Sequence, residues 1–320
     1  MLEVRILKRN QETSDIISLE LGQVDGSALP KFEPGSHIDV QINENTTRQY
    51  SLYNSSVEHQ IYKIAVLKDS NSRGGSKCIH ESFNEGDIIK ISHPRNLFHL
   101  KKDSQRTLLF AGGIGITPLL SMAETLQRLN KEFELHYFTR SEESAAFFNQ
   151  LKYCSFSSSV FFHFDSTSEN KDSLLKDILK NPKNNVNTNI YTCGPNGFMD
   201  FIFTSAKELG WPTTSLHKEV FKSTAANSLQ QDIAFTLNLV KSGITICVPA
   251  KQTVLEALEE HGIEIDSSCE QGICGSCLTK VTDGVPDHRD QFLSEDEKSA
   301  NDQFTPCCSR ALSESLSIDL

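Results

Sequence analysis

No apolar run in this 320-residue chain approaches the ~20 residues that a membrane-spanning helix needs, so no membrane role is expected. The N-terminus, Met1-Leu2-Glu3-Val4-Arg5, lacks the pattern of a secretory leader, and the two absences together predict a cytoplasmic protein. No stripe of Lys and Arg offers itself to phosphates, which excludes nucleic acid as an expected partner. Internal repeats are missing, and the biased stretches are too short to be low-complexity. Tryptophan is reduced to Trp211, which reads as structural, like the scattered histidines His93 and His99. Cysteine is not scarce: there are nine. In a cytoplasmic setting they argue against a disulfide framework and for metal binding or free thiols.

The length predicts two or three domains. Hydrophobic content of 38% and charged content of 23% fit a globular chain. Of the net charge of −11, nearly all sits after residue 231: 16 Asp and Glu against 6 Lys and Arg leave −10 there. Such a segment aids solubility and can steer toward a basic partner.

The first hundred residues alternate apolar and polar residues in short runs, Leu2 to Lys8, Ile16 to Leu21, His37 to Ile42, Gln60 to Leu67 and Asp87 to Ser92. Pro34-Gly35 and Glu85-Gly86 punctuate them, which predicts a small antiparallel β-barrel over 1–104. From Thr107 the character changes. Thr107 to Ala111 is continuously apolar, as in a buried parallel strand, and helical periodicity follows from Pro118 to Leu129. Strands at Phe133 to Thr139, Val160 to Phe164 and Ile190 to Thr192 alternate with helices at Asp172 to Leu179 and Gly197 to Leu209. This predicts an α/β domain with a parallel sheet over 105–222. A polar stretch, 223–231 within Lys222 to Gln231, reads as a linker. Over 232–320 a hairpin, a helix at Thr253 to His261 and a cysteine loop predict a small α+β module.

That loop carries the most specific signal. Cys269, Cys274 and Cys277 read C-x4-C-x2-C, with 29 residues before Cys307. This is the plant-type spacing for a [2Fe–2S] cluster, in which a tight loop gives three thiolates and a distant segment the fourth. On spacing alone the fourth is Cys307 or Cys308. Zinc favours C-x2-C pairs, so x4 followed by x2 points away from it. Cys78, Cys154 and Cys247 read as small buried hydrophobes.

Elsewhere, Gly112-Gly113-Ile114-Gly115 joins a strand to a helix. It is not G-x-G-x-x-G, yet small residues there let a pyrophosphate reach backbone at a helix N-terminus. Thr117 is expected to cap that helix and Pro118 to open it. Cys193, Gly194 and Pro195 end another strand of the same sheet, and ligands of open α/β sheets sit beyond such carboxyl ends. Asp165, after a third strand, can bind a ribose diol and repel a 2′-phosphate, or simply be a turn residue. In the barrel, Arg48 and Tyr50 share one strand face and can clamp a phosphate-bearing aromatic cofactor. Ser51 follows, and Arg73-Gly74-Gly75-Ser76 suits a phosphate dianion. Taken singly, each of these barrel motifs also reads as a cross-strand pair and a turn.

Taken together and in this order, these motifs resemble the phthalate dioxygenase reductase family along the whole chain. Pro34 to His37, Pro94 to Phe98, Asp287 to Asp290 and Pro306 to Arg310 sharpen the likeness to one branch of it. The resemblance implies an FMN barrel, an NADH-binding α/β domain and a β-grasp ferredoxin domain holding [2Fe–2S]. It implies that Arg48, Tyr50 and Ser51 line the flavin and Arg73 to Ser76 hold its phosphate. Gly112 to Pro118 and Cys193 to Pro195 then contact NADH, and Phe221 lies beside the flavin. The family pattern Cys-x-Ser-Arg picks Cys307, with Cys308 pointing the other way if the segment is a strand. The implied activity is that of an NADH-dependent reductase feeding a Rieske-type oxygenase. A carnitine- or phthalate-type partner, or a redox-sensing flavo-iron–sulfur protein, are the other readings of the same motifs.

Overall fold

Alternating apolar residues build the first sheet. Strands β1 (Leu2–Gln11), β2 (Ile16–Gln23), β3 (Ser36–Asn43), β4 (Thr46–Ser51) and β5 (Tyr62–Leu67) are followed by helix α1 (Gly75–Ser82). Strands β6 (Ile88–Ile91) and β7 (Arg95–Asn96) complete the set. The order is β4-β3-β6-β1-β2-β5 with β7 beside β3, and the pairings are antiparallel. Edge strands β4 and β5 approach one another, curling the sheet around Val4, Ile6, Leu19, Ile38, Val40, Tyr62 and Ile64. The computed structural model describes residues 1–43, 46–69, 74–166, 171–180, 187–221, 232–267 and 269–320. The expected linker, Lys222 to Gln231, and Arg73 lie outside them. The described residues form two compact units, Met1–Val220 and Phe221–Leu320.

The second sheet of the first unit comes from β8 (Arg106–Gly112), α2 (Ile116–Arg128), β9 (Glu132–Thr139), α3 (Phe148–Tyr153), β10 (Val160–Phe164), α4 (Lys171–Leu179), β11 (Thr188–Cys193), α5 (Asn196–Glu208) and β12 (Leu216–Glu219). Every residue of β8 and β11 is buried, as expected for central parallel strands covered on both faces. The order β10-β9-β8-β11-β12 reverses direction between β8 and β11, so a crevice opens there beyond the strands' carboxyl ends. Barrel and sheet are tied within the unit. Lys101 N donates to Tyr191 Oη at 2.9 Å, Tyr191 Oη donates to His99 O at 3.2 Å, and Ser121 Oγ donates to Asn54 O at 2.9 Å.

The second unit holds β13 (Phe235–Leu239), β14 (Ile244–Val248), α6 (Val254–Glu260), β15 (Thr279–Asp283), β16 (Pro286–Asp287), α7 (Glu295–Ala300), β17 (Gln303–Phe304), β18 (Arg310–Ala311) and β19 (Ser315–Ile318). Its sheet runs β14-β13-β19-β15-β17, with β13 and β19 parallel, and α6 packs Val254, Ala257 and Leu258 into its core. A capping box starts α6: Glu256 N donates to Thr253 Oγ1 at 3.1 Å and Thr253 N to Glu256 Oε2 at 2.8 Å. Leu255 N donates to Pro306 O at 3.0 Å, which fastens the start of the helix to the segment carrying the last two cysteines.

Candidate functional site

Strand β4 presents Arg48 and Tyr50 on the barrel's inner face. Tyr50 packs against the barrel core, and burial pushes its phenol well up while the nearby Arg48 opposes the shift. Arg48 lies across the start of α1: a Cβ on Gly75 would stand 2.9 Å from Arg48 Cγ and 3.2 Å from its Nε. Gly74, at φ 104°, makes the left-handed turn into that helix, and Ser76 Oγ accepts from Asp69 N at 3.2 Å. A guanidinium thus lies beside the positive end of a helix, over bare backbone. This is a setting suited to an anion.

At the crevice the two glycine turns touch. A Cβ on Gly115 would fall 2.1 Å from Cys193 O, and one on Gly112 would fall 2.9 Å from Phe198 Cδ1 and 3.0 Å from Pro195 Cδ. A Cβ on Gly194 would meet Gly112 Cα at 2.9 Å. Only glycine lets the turn after β8 and the turn after β11 close on one another. Helix α2 begins two residues earlier than Pro118, at Ile116 with Gly115 as its N-cap. The expected Thr117 cap is therefore not made. Thr117 lies inside the first turn, and its Oγ1 donates back to Ile114 O at 3.1 Å. Asp165 follows β10, two strands from β8 and so roughly 10 Å across the sheet edge. It is exposed, and its carboxylate pairs with Lys171.

One residue of this region escaped the sequence reading. Glu219 ends β12, in register with Cys193 of β11, which is itself in register with Ala111 of β8. From the barrel, Ser51 Oγ donates to Glu219 Oε2 at 3.1 Å. Burial raises the Glu219 carboxyl to about 8, against the pull of Ser51. Cys193 is fully buried, and burial together with Glu219 pushes its thiol up. A hydroxyl, a carboxyl that keeps its proton at neutral pH, and a neutral thiol therefore converge where barrel and crevice meet. The only sequence signal was a charged residue at the end of an apolar strand.

In the second unit the cysteines converge. Cys269, Cys277 and Cys307 are buried and Cys274 is half-buried. Backbone amides of the loop turn inward. Gln271, Ile273 and Cys274 N–H approach Cys269 Sγ at 3.4 Å, Gly272 N donates to Cys307 Sγ at 3.2 Å, and Ser276 N lies 3.5 Å from Cys274 Sγ. Gly272 and Gly275 hold positive φ of 68° and 70°, which permits this wrapping. Phe292 covers Gly275, whose Cβ would fall 2.4 Å from the ring. The thiols contact one another pairwise. Neighbouring thiols and amides hold Cys269 down, whereas contacts with adjacent thiols push Cys274 and Cys307 up. Among the described residues no three acidic, His or Cys side chains gather as for a single ion. Four thiols that cannot all ionise together, ringed by N–H donors, fit a positively charged cluster bound two by two.

The segment after Thr305 corrects one expectation. Residues 306–308 form a turn rather than a strand, with Cys308 N and Ser309 N both donating to Thr305 O. Cys308 therefore does not point away. Its Sγ sits 2.3 Å from where a Gly272 Cβ would be, on the cluster-loop side.

Residues 237–312 match the family model of the 2Fe-2S iron-sulfur cluster binding domain. Over its full length the chain is 48% identical to the full-length vanillate O-demethylase oxidoreductase of Pseudomonas sp. (strain HR199 / DSM 7063). It is 38% identical to the phthalate dioxygenase reductase of Burkholderia cepacia, covering all of this chain and 97% of that one. A solved phthalate dioxygenase reductase, described as a modular structure for electron transfer from pyridine nucleotides to [2Fe–2S], superposes with a TM-score of 0.80. That match, at 38% identity, covers 100% of this chain and 98% of that one. The chain belongs to the phthalate dioxygenase reductase family. This reductase is thus an iron–sulfur flavoprotein oxidoreductase of three modules: flavin barrel, parallel-sheet nucleotide domain and ferredoxin domain. None of its described helices is long and apolar enough to cross a membrane. Phe221 is half-buried and begins the second unit, directly after Val220.

Proposed function

We propose that the protein is the cytoplasmic, NADH-dependent reductase component of a two-component Rieske oxygenase of the vanillate O-demethylase type. Electrons pass from NADH through FMN and [2Fe–2S] to the oxygenase. The observation that carries this reading is the Ser51–Glu219 hydrogen bond, which joins the barrel to the carboxyl end of the nucleotide sheet at one point. When bound, NADH supplies a hydride, FMN accepts the pair of electrons and releases them singly, and [2Fe–2S] carries one at a time.

The chain's own residues do the positioning. Arg48 and the start of α1, with Gly74, Gly75, Ser76 and Arg73, hold the flavin phosphate, and Tyr50 and Ser51 line the ring system. Gly112, Gly113, Thr117, Pro118, Gly194 and Pro195 let the pyrophosphate approach backbone. Asp165 accepts from ribose hydroxyls. Glu219, protonated at neutral pH, leaves the meeting point uncharged and orients Ser51 beside Cys193. Phe221 flanks the flavin by family likeness. Cys269, Cys274, Cys277 and Cys307 ligate the cluster, and the loop amides disperse the charge on their sulfurs. Segments 1–104, 105–222 and 232–320 serve as flavin, nucleotide and ferredoxin domains, with 223–231 as the linker. The −10 charge of the last segment steers it to a basic oxygenase surface.

The test uses Cys274→Ser. With a purified vanillate-type oxygenase, the wild type sustains NADH-driven substrate turnover. The variant loses that turnover and cytochrome c reduction but keeps NADH–ferricyanide activity through the flavin. Equal loss of both activities would refute the proposed electron order.

A further inference from the structure

Two hydroxyls buried behind the cluster loop must dispose of their hydrogens. Thr305 and Ser309 are both 0% exposed. Arg289 N donates to Ser309 Oγ at 3.1 Å. Ser309 Oγ lies 3.1 Å from Thr305 Oγ1, which lies 3.2 Å from Cys308 Sγ. Cys308 follows Cys307 in the chain and packs on the group formed by Leu255, Cys277 and Cys307.

The middle links of this chain are reversible, but its ends are not. A backbone N–H can only donate, and a metal-bound thiolate can only accept. Ser309, Thr305 and Cys308 contribute one hydrogen each. The assignment that uses every close contact runs one way, from Arg289 N–H through the Ser309 and Thr305 hydroxyls to the Cys308 thiol and on to the Cys307 sulfur. Two neutral acceptors also lie near the Cys308 hydrogen, Thr305 O at 3.9 Å and Ser309 Oγ at 3.8 Å. An anionic sulfur outcompetes them. Aligned links of this kind polarise one another, which strengthens the last one.

We propose that Cys308 is a positioning residue for electron transfer, the last donor in a directed hydrogen-bond chain that raises the reduction potential of the cluster through the Cys307 sulfur. A donor on a ligating sulfur stabilises the more negative, reduced cluster over the oxidised one. The inference rests on the proposed reading of Cys307 as the fourth ligand.

The test is a redox titration of the full, cofactor-loaded chain followed by electron paramagnetic resonance, with iron and sulfide content measured on each variant. Cys308→Ala keeps the cluster and shifts its midpoint to a more negative potential. Cys308→Ser, which retains a donor, leaves the midpoint at or above the wild-type value. Thr305→Val cuts the chain one link back and shifts it in the same direction as Cys308→Ala, by less. A cluster intact in Cys308→Ala with an unchanged midpoint overturns the tuning role and leaves Cys307 as the ligand. Loss of the cluster in Cys308→Ala with retention in Cys307→Ala makes Cys308 the ligand and overturns both readings.

Discussion

Glu219→Gln isolates the proton held at the meeting point of barrel and crevice. The folded carboxyl titrates at about 8 against an ordinary 4.5, so the folded chain keeps a proton that the unfolded chain has released between those values. Stability from this group is complete below pH 4.5 and is lost as pH rises through 8. A shift of that size corresponds to about 5 kcal/mol at full burial. Glu219 retains some exposure, and water reaching it reduces the expected effect to about 3 kcal/mol. The amide of Gln keeps the shape and a hydrogen bond to Ser51 but cannot ionise. Thermal unfolding of the flavin-free full chain, wild type against Glu219→Gln, is the assay. The two should melt together near pH 4, below the ordinary carboxylate value. At pH 8.5 the wild type should fall behind by roughly 6–12 °C, at ~2–4 °C per kcal/mol for a unit of this size. Groups shared by both proteins cancel in the difference. Parallel melting curves across the range would refute the claim that this carboxyl is held neutral by burial.

Two further perturbations address the cofactor sites. Arg48→Ala should weaken FMN binding to the flavin-free protein by ~10–100-fold, the scale of a lost charge-assisted hydrogen bond, as read by flavin fluorescence titration. Retention within twofold of wild type would remove Arg48 from the phosphate site. Asp165→Ala should raise the NADPH-to-NADH ratio of kcat/KM by about 10-fold, because it removes a carboxylate and frees its partner Lys171 for a 2′-phosphate. An unaltered ratio would mean that the Asp165–Lys171 pair is only a surface contact.

Local signals were legible wherever a short segment had to satisfy its own constraints. The continuous apolar run at β8, the alternation at the start of β1 and the amphipathic face of α6 are each dictated by burial of neighbouring residues; β2, buried almost throughout, does not alternate. Helix α1 was not legible. Its eight residues start at glycine and carry few apolar positions, so tertiary contact with the barrel through Ile79 stabilises it rather than periodicity. A threonine directly before a proline predicts a cap at Thr117. The closure of Gly115 onto Cys193 O instead starts the helix earlier and turns the threonine inward. Strand alternation would turn Cys308 away from Cys307, and it does not apply in the turn at 306–308.

By itself the sequence determined the residue types at each proposed site: cysteines at a spacing that suits two irons, glycines at turns that suit phosphate, and an arginine and a tyrosine on one strand face. Those are properties of residue type over a few positions, and no fold is needed to impose them. Tertiary structure decided which distant atoms meet. Ser51 reaches Glu219 across 168 positions because barrel and sheet pack together, and Cys193 joins them only through strand register. The thiol of Cys308 likewise owes its place to a turn that folds it back onto Gly272. Contacts of that kind arise from the packing of whole elements, and no short window of sequence encodes them.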